Sequence, residues 1–115
     1  LLGGDIHQNY VCKVLADAGA EGQPSGGPVI ASEFCGTSIS SRAGTTQDKV
    51  DAIARHNPHV LLARSDQRGY GLADITPQRW TTSLRVVDDP LRADSGASTL
   101  ARFVVEDGQA GPVSE

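Results

Sequence analysis

Between residues 10 and 18 the side chains alternate. Val11, Lys13 and Leu15 fall on one side and Cys12, Val14 and Ala16 on the other, a period of two that predicts a β-strand charged on one face only. Residues 28–34 form the next extended segment. The stretch 19–28 between them is all turn chemistry, so the two strands read as a long-looped antiparallel hairpin. Four more strands are predicted at 59–63, 69–76, 81–87 and 98–106, with turns at 65–69, 76–79 and 88–90. One stretch breaks the alternation. Val50, Ile53 and Ala54 recur at helical spacing behind Thr45-Thr46-Gln47-Asp48, which predicts a short capped helix ending at Asn57-Pro58, where the residue before proline avoids the helical region. Residues 37–44 read as a Ser/Thr/Gly loop, and 109–115 as a tail expected to fray. The fold class is α+β and β-rich, a meander of antiparallel and mixed strands with one short helix.

Composition narrows this picture. At 115 residues and 12.0 kDa the chain has room for one unit, spanning 1–115, and a chain of that size buries only about two thirds of its unfolded surface, so the core is thin. Thirteen glycines and six prolines chop it into short strands. A net charge of −4 without a Lys/Arg cluster excludes nucleic acid as a partner, and no window approaches the ~20 apolar residues of a membrane span. The chain opens at Leu1-Leu2-Gly3-Gly4-Asp5-Ile6-His7, entering what reads as a buried strand with no polar lead-in, initiator Met or signal peptide. It is therefore expected to be the C-terminal piece of something larger.

Chemistry concentrates at that opening. On an extended segment residues i and i+2 point the same way, so Asp5 and His7 would grip one ion together, with Gly3-Gly4 allowing close backbone approach. A carboxylate with a neutral imidazole suits Zn, Fe or Mn, and the carboxylate also suits Ca. The competing reading is a surface turn in which Asp5 accepts from His7 or nearby amides. His56, at the helix end, and His59, opening a strand, read as structural. Ser38, Ser40 and Ser41 lack the Gly-x-Ser-x-Gly elbow of a hydrolase nucleophile. Arg68 beside Gly69-Tyr70 would either clamp an anion, as a substrate-binding residue, or be a solvated turn charge; Trp80 reads as core. A hairpin symmetric about Gln23-Pro24 sets Cys12 opposite Cys35, at the separation a disulfide needs; two buried free thiols are the alternative.

Six segments occur in order: Gly4-Asp5-Ile6-His7, Glu33-Phe34-Cys35-Gly36-Thr37-Ser38-Ile39-Ser40-Ser41, Asn57-Pro58-His59, Arg68-Gly69-Tyr70, Thr76-Pro77-Gln78-Arg79-Trp80 and Phe103-Val104-Val105-Glu106-Asp107-Gly108. Together they resemble the C-terminal third of the alkaline phosphatase D (PhoD-like) family. The resemblance implies part of a calcineurin-like, purple-acid-phosphatase-like metallophosphoesterase built from two packed β-sheets. It implies hydrolysis of phosphate esters by metal-activated hydroxide, with Asp5 and His7 as metal ligands around iron and calcium, other divalent metals such as Zn or Mn being compatible. It also implies a secreted or periplasmic protein exported by the twin-arginine route. The family's remaining ligands lie upstream of Leu1, so the 115 residues alone are expected to be inactive and to need the upstream portion of the same domain as a partner. Cys35 departs from the family's usual aliphatic residue. The competing function is a non-catalytic β-rich binding or structural module.

Overall fold

The computed structural model describes residues 1–19 and 25–115. Its elements are β1 (Leu2–Gly3), β2 (Asn9–Asp17), β3 (Gly26–Cys35), α1 (Gln47–Arg55), β4 (Val60–Arg64), β5 (Gly69–Ile75), β6 (Arg79–Val87), β7 (Ala97–Glu106) and β8 (Val113–Ser114). They form two four-stranded sheets, ordered β1-β3-β2-β4 and β5-β6-β7-β8. All pairs are antiparallel except β1 with β3, which makes the first sheet mixed. The β-rich α+β architecture expected from the residues is thus present, with the strands of the meander shifted by at most two residues at their ends.

The sheets meet through a small core. Val11 and Phe34 from the first pack with Leu84 and Phe103 from the second, and Leu62, Trp80, Leu100, Ala101 and Val105 close around them. Phe34 stacks on Trp80 with ring centroids 6.3 Å apart and planes 13° from parallel, giving the lone tryptophan the core duty read from the sequence. At about 25 cal/mol per Å² of apolar surface, burying one such aromatic contributes a few kcal/mol, so these two rings carry a large share of the cohesion between sheets.

The hairpin register corrects the disulfide expectation. Tyr10 faces Cys35, Val11 faces Phe34 and Cys12 faces Glu33, so the pairing is displaced by two residues from the symmetric hairpin, whose expected centre at Gln23-Pro24 lies outside the described residues. The reason is packing. The symmetric register would put Phe34 opposite Lys13, whereas the observed one pairs it with fully buried Val11 in the core. A two-residue slip keeps each side chain on its face but places Cys12 and Cys35 diagonally, where Cα atoms are about 7–8 Å apart and beyond disulfide reach. Both cysteines are free. Burial first, then the neighbouring Glu33 carboxylate, pushes both thiols up, Cys12 to about 11.

The helix expectation holds in place but not in capping. Thr46 occupies the N-cap position without a side-chain cap bond. Gln47 anchors α1 instead: its amide donates to the Ala63 carbonyl at 3.0 Å, and its oxygen accepts from the Ser65 N–H at 2.8 Å, tying the first turn to β4 while Val50 is buried. The tail also differs. Residues 109–115, expected to fray, return to the sheet, with Val113–Ser114 pairing with Val104 and Phe103, Pro112 fully buried, and Glu115 in ion pairs with Arg79 and Arg102.

Candidate metal centre

Strand order dictates the shape of the segment carrying Asp5 and His7. β1 and β2 lie on opposite sides of β3, so residues 4–8 must arch over the end of β3 within five residues, spanning about 10 Å. They do so by a sharp reversal. The Ile6 N–H donates to the Gly4 carbonyl at 2.9 Å, closing a three-residue γ-turn with Asp5 at its centre at φ 73°, and His7 follows at φ 56°. These are the only non-glycine residues at positive φ among the described residues. Asp and His are among the side chains that tolerate this region best, which is how the segment closes without glycine at either position.

The premise that carried the sequence reading therefore changes. Asp5 and His7 do not share a face of an extended strand; β1 ends at Gly3, and both sit on the arch. What the arch supplies is a defined imidazole. His7 Nδ1 lies 3.0 Å from the Arg42 carbonyl oxygen. A carbonyl only accepts, so Nδ1 carries the proton, and in the neutral ring the Nε2 lone pair is left free. Ligating histidines are usually oriented in this way, by donating the other nitrogen to a carbonyl or carboxylate. Asp5 is exposed at the crown of the turn.

The His7 backbone is fixed as firmly as its ring. Its carbonyl accepts from Thr37 Oγ1 at 3.0 Å and from Arg68 Nη1 at 2.9 Å. Thr37 Oγ1 also contacts the Gln67 carbonyl, and the Thr37 N–H donates to Oδ1 of fully buried Asn9. Sequence reasoning missed Thr37 and Asn9 as supports, although Thr37 opens the loop read at 37–44. No spacing rule links residues 7, 9, 37 and 68; strand order brings them together.

Arg68 is neither solvated nor turned toward open space. It is 6% exposed, and burial holds its guanidinium below the usual arginine range, partly offset by Asp66. Nη1 reaches the His7 carbonyl, Ser38 Oγ at 3.1 Å and the Ser41 carbonyl at 2.6 Å, while Nη2 reaches the Ser65 carbonyl at 2.6 Å. A cleft of about 400 Å³ opens beside it, lined by Ser40, Arg42, Thr45, Ser65, Asp66 and Asp89 among others. His56 caps the C-terminal end of α1, and the His59 carbonyl accepts from the Lys13 N–H; neither histidine joins Asp5 and His7.

Among the described residues no three His, Cys, Asp or Glu side chains converge as a metal cage. Asp5 and His7 supply two donors, one oxygen and one nitrogen, and the fixed tautomer suits His7 to a metal. A catalytic zinc-type site takes at least three protein ligands, one more than these two supply.

The family model described as PhoD-like phosphatase matches residues 1–84. Alkaline phosphatase D of Bacillus subtilis (strain 168) is 32% identical over 114 residues, covering 96% of this chain and 18% of that protein. A solved structure titled "Structure of PhoD" superposes with a TM-score of 0.75 at 30% identity, covering 98% of this chain and 21% of the other. The chain spans about a fifth of the length of these relatives. With the family model covering well over half of its residues, the chain belongs to the PhoD-like phosphatase family.

Proposed function

We propose that this chain contributes one edge of the catalytic centre of a phosphate-ester hydrolase, with Asp5 and His7 as two of its metal ligands and residues 1–115 forming the C-terminal part of a single larger domain. The observation carrying this reading is the hydrogen bond from His7 Nδ1 to the Arg42 carbonyl, which leaves the Nε2 lone pair free, two residues along the arch from the exposed Asp5. The left-handed backbone at both residues supports it, since conformations that cost about 1–3 kcal/mol each persist where the surroundings impose them and concentrate at functional sites.

Iron and calcium are the metals the family resemblance favours, with export by the twin-arginine route to a secreted or periplasmic location. When bound, such cations would lower the pKa of water and hold phosphoryl oxygens. This chain's residues do the orienting. Asp5 offers its carboxylate at the crown of the arch, His7 offers Nε2, and Thr37 and Arg68 hold the His7 backbone still. Arg68, with Nη1 and Nη2 engaged by oxygen acceptors, lines the adjacent cleft and braces the arch. Exposed Arg42, which also lines the cleft, remains available to an anionic ester.

The test is phosphate release from p-nitrophenyl phosphate with added Ca and Fe. The 115 residues alone should show no turnover, and adding the upstream portion should restore it. In the complete protein Asp5→Ala or His7→Ala should abolish bound metal. Variants that bind metal like the parent would instead favour the non-catalytic module.

A further inference from the structure

We propose that Arg68 is a positioning residue that sets the tautomer and direction of the His7 imidazole, an inference that rests on the metal-ligand reading of His7. The argument is geometric. The hydrogen bond that defines the ring runs from His7 Nδ1 to the Arg42 carbonyl, between two loops 35 residues apart in sequence. Its survival requires that both loops be held at a fixed separation, and one guanidinium does this at both ends. Nη1 takes the His7 carbonyl at 2.9 Å, gripping the residue that bears the ring, and the Ser41 carbonyl at 2.6 Å, one peptide before the accepting carbonyl. Ser38 Oγ, also within reach of Nη1, itself donates to the Ser41 carbonyl, stiffening that segment. Nη2 anchors the assembly to the Ser65 carbonyl in the turn after β4.

The chemistry of the pairing singles out arginine. A planar fork delivers donors in fixed directions to several carbonyls at once, which a lysine ammonium on a flexible stem does not. Arg68 has no carboxylate within ion-pair distance among the described residues; its acceptors in the structure are neutral oxygens. A buried cation held only by carbonyls and a hydroxyl is a poor stability device, because desolvation offsets much of what those bonds return. Its consequence is local order: His7 Nε2 points where the arch directs it.

The experiment is side-chain nitrogen NMR on the uniformly ¹⁵N-labelled, metal-free chain at a pH where imidazoles are neutral. In the parent, His7 should show a protonated Nδ1 and an unprotonated Nε2. In Arg68→Gln that preference should be lost, with Nε2–H becoming the major form, while His56 and His59 signals stay unchanged. Thr37→Val keeps the guanidinium and removes the other side-chain donor to the same carbonyl, so it should retain the parent tautomer. A folded Arg68→Gln chain that keeps Nδ1–H overturns the proposal. So does release of the tautomer by Thr37→Val, or a parent chain with Nε2–H, and these last two remain informative if Arg68→Gln does not fold. Adding Zn²⁺ and following His7 Nε2 tests the ligand reading separately: a tautomer governed by Arg68 with no Zn²⁺ response would sink the metal assignment and leave the positioning role standing.

Discussion

At Asp5 the carbonyl of Gly4 and the amide of Ile6 meet only because the residue between them adopts a backbone shape that L side chains dislike. Glycine adopts that shape without the Cβ penalty. Asp5→Gly is therefore expected to leave the fold intact or to stabilise it by up to about 1 kcal/mol in urea denaturation, although it deletes a proposed ligand; Asp5→Val should destabilise it. Gly69 shows the opposite constraint. A Cβ there would overlap the Arg85 carbonyl oxygen and lie 2.8 Å from its carbon, so Gly69→Ala must push β5 away from β6 and should cost about 2–4 kcal/mol by the same measurement. For the cysteines, the ordinary thiol value of 9.0 becomes about 11 at Cys12. Its thiolate fraction near pH 8 is thus about 100-fold below that of an unshifted thiol, and alkylation by iodoacetamide should be correspondingly slow there and accelerate as pH rises toward 11. Thiol titration in denaturant without reductant should find both cysteines reduced.

Strands and helix were legible because their signals are local. The alternation through residues 11–16, the helical spacing of Val50, Ile53 and Ala54, and Pro58 after the helix each report on a few neighbours in sequence. Register is not local. The cysteine pairing assumed a symmetric loop, whereas the partner of Val11 was settled by which aromatic the second sheet could receive. The candidate site followed the same division: Asp5 and His7 stood out as residue types, but their supports, Thr37, Asn9 and Arg68, became neighbours only through strand order. Gln47 illustrates the same point for α1. A polar residue in the first turn reads as an ordinary helix surface, yet it satisfies backbone groups of Ala63 and Ser65. Gln47→Ala should strip those bonds and cost about 1–3 kcal/mol of stability, seen as early loss of helical circular dichroism on heating.

For the molecule as a whole, apolar surface is shared unevenly. Leu1, Leu2, Ile30, Leu72 and Ile75 are all more than half exposed, although Leu84 and Val11 are sealed. That distribution suits a unit whose flanks meet further structure in relatives about five times its length. The C-terminal return belongs at this scale, because it closes the outer side of β7: removing residues 111–115 would uncover Phe103 and Val104 and should lower the thermal midpoint measurably, with increased binding of a hydrophobic dye.

Among the described residues no such return guards the opposite margin of that sheet. β5 is its terminal strand, every residue after Gly69 is exposed, and Gly69-Tyr70-Gly71-Leu72-Ala73-Asp74-Ile75 contains no proline, lysine or bulge to discourage pairing. In concentrated solution this ribbon is where molecules would begin to zip together and precipitate. A single proline at Ala73, with little else changed, should be enough to keep them apart.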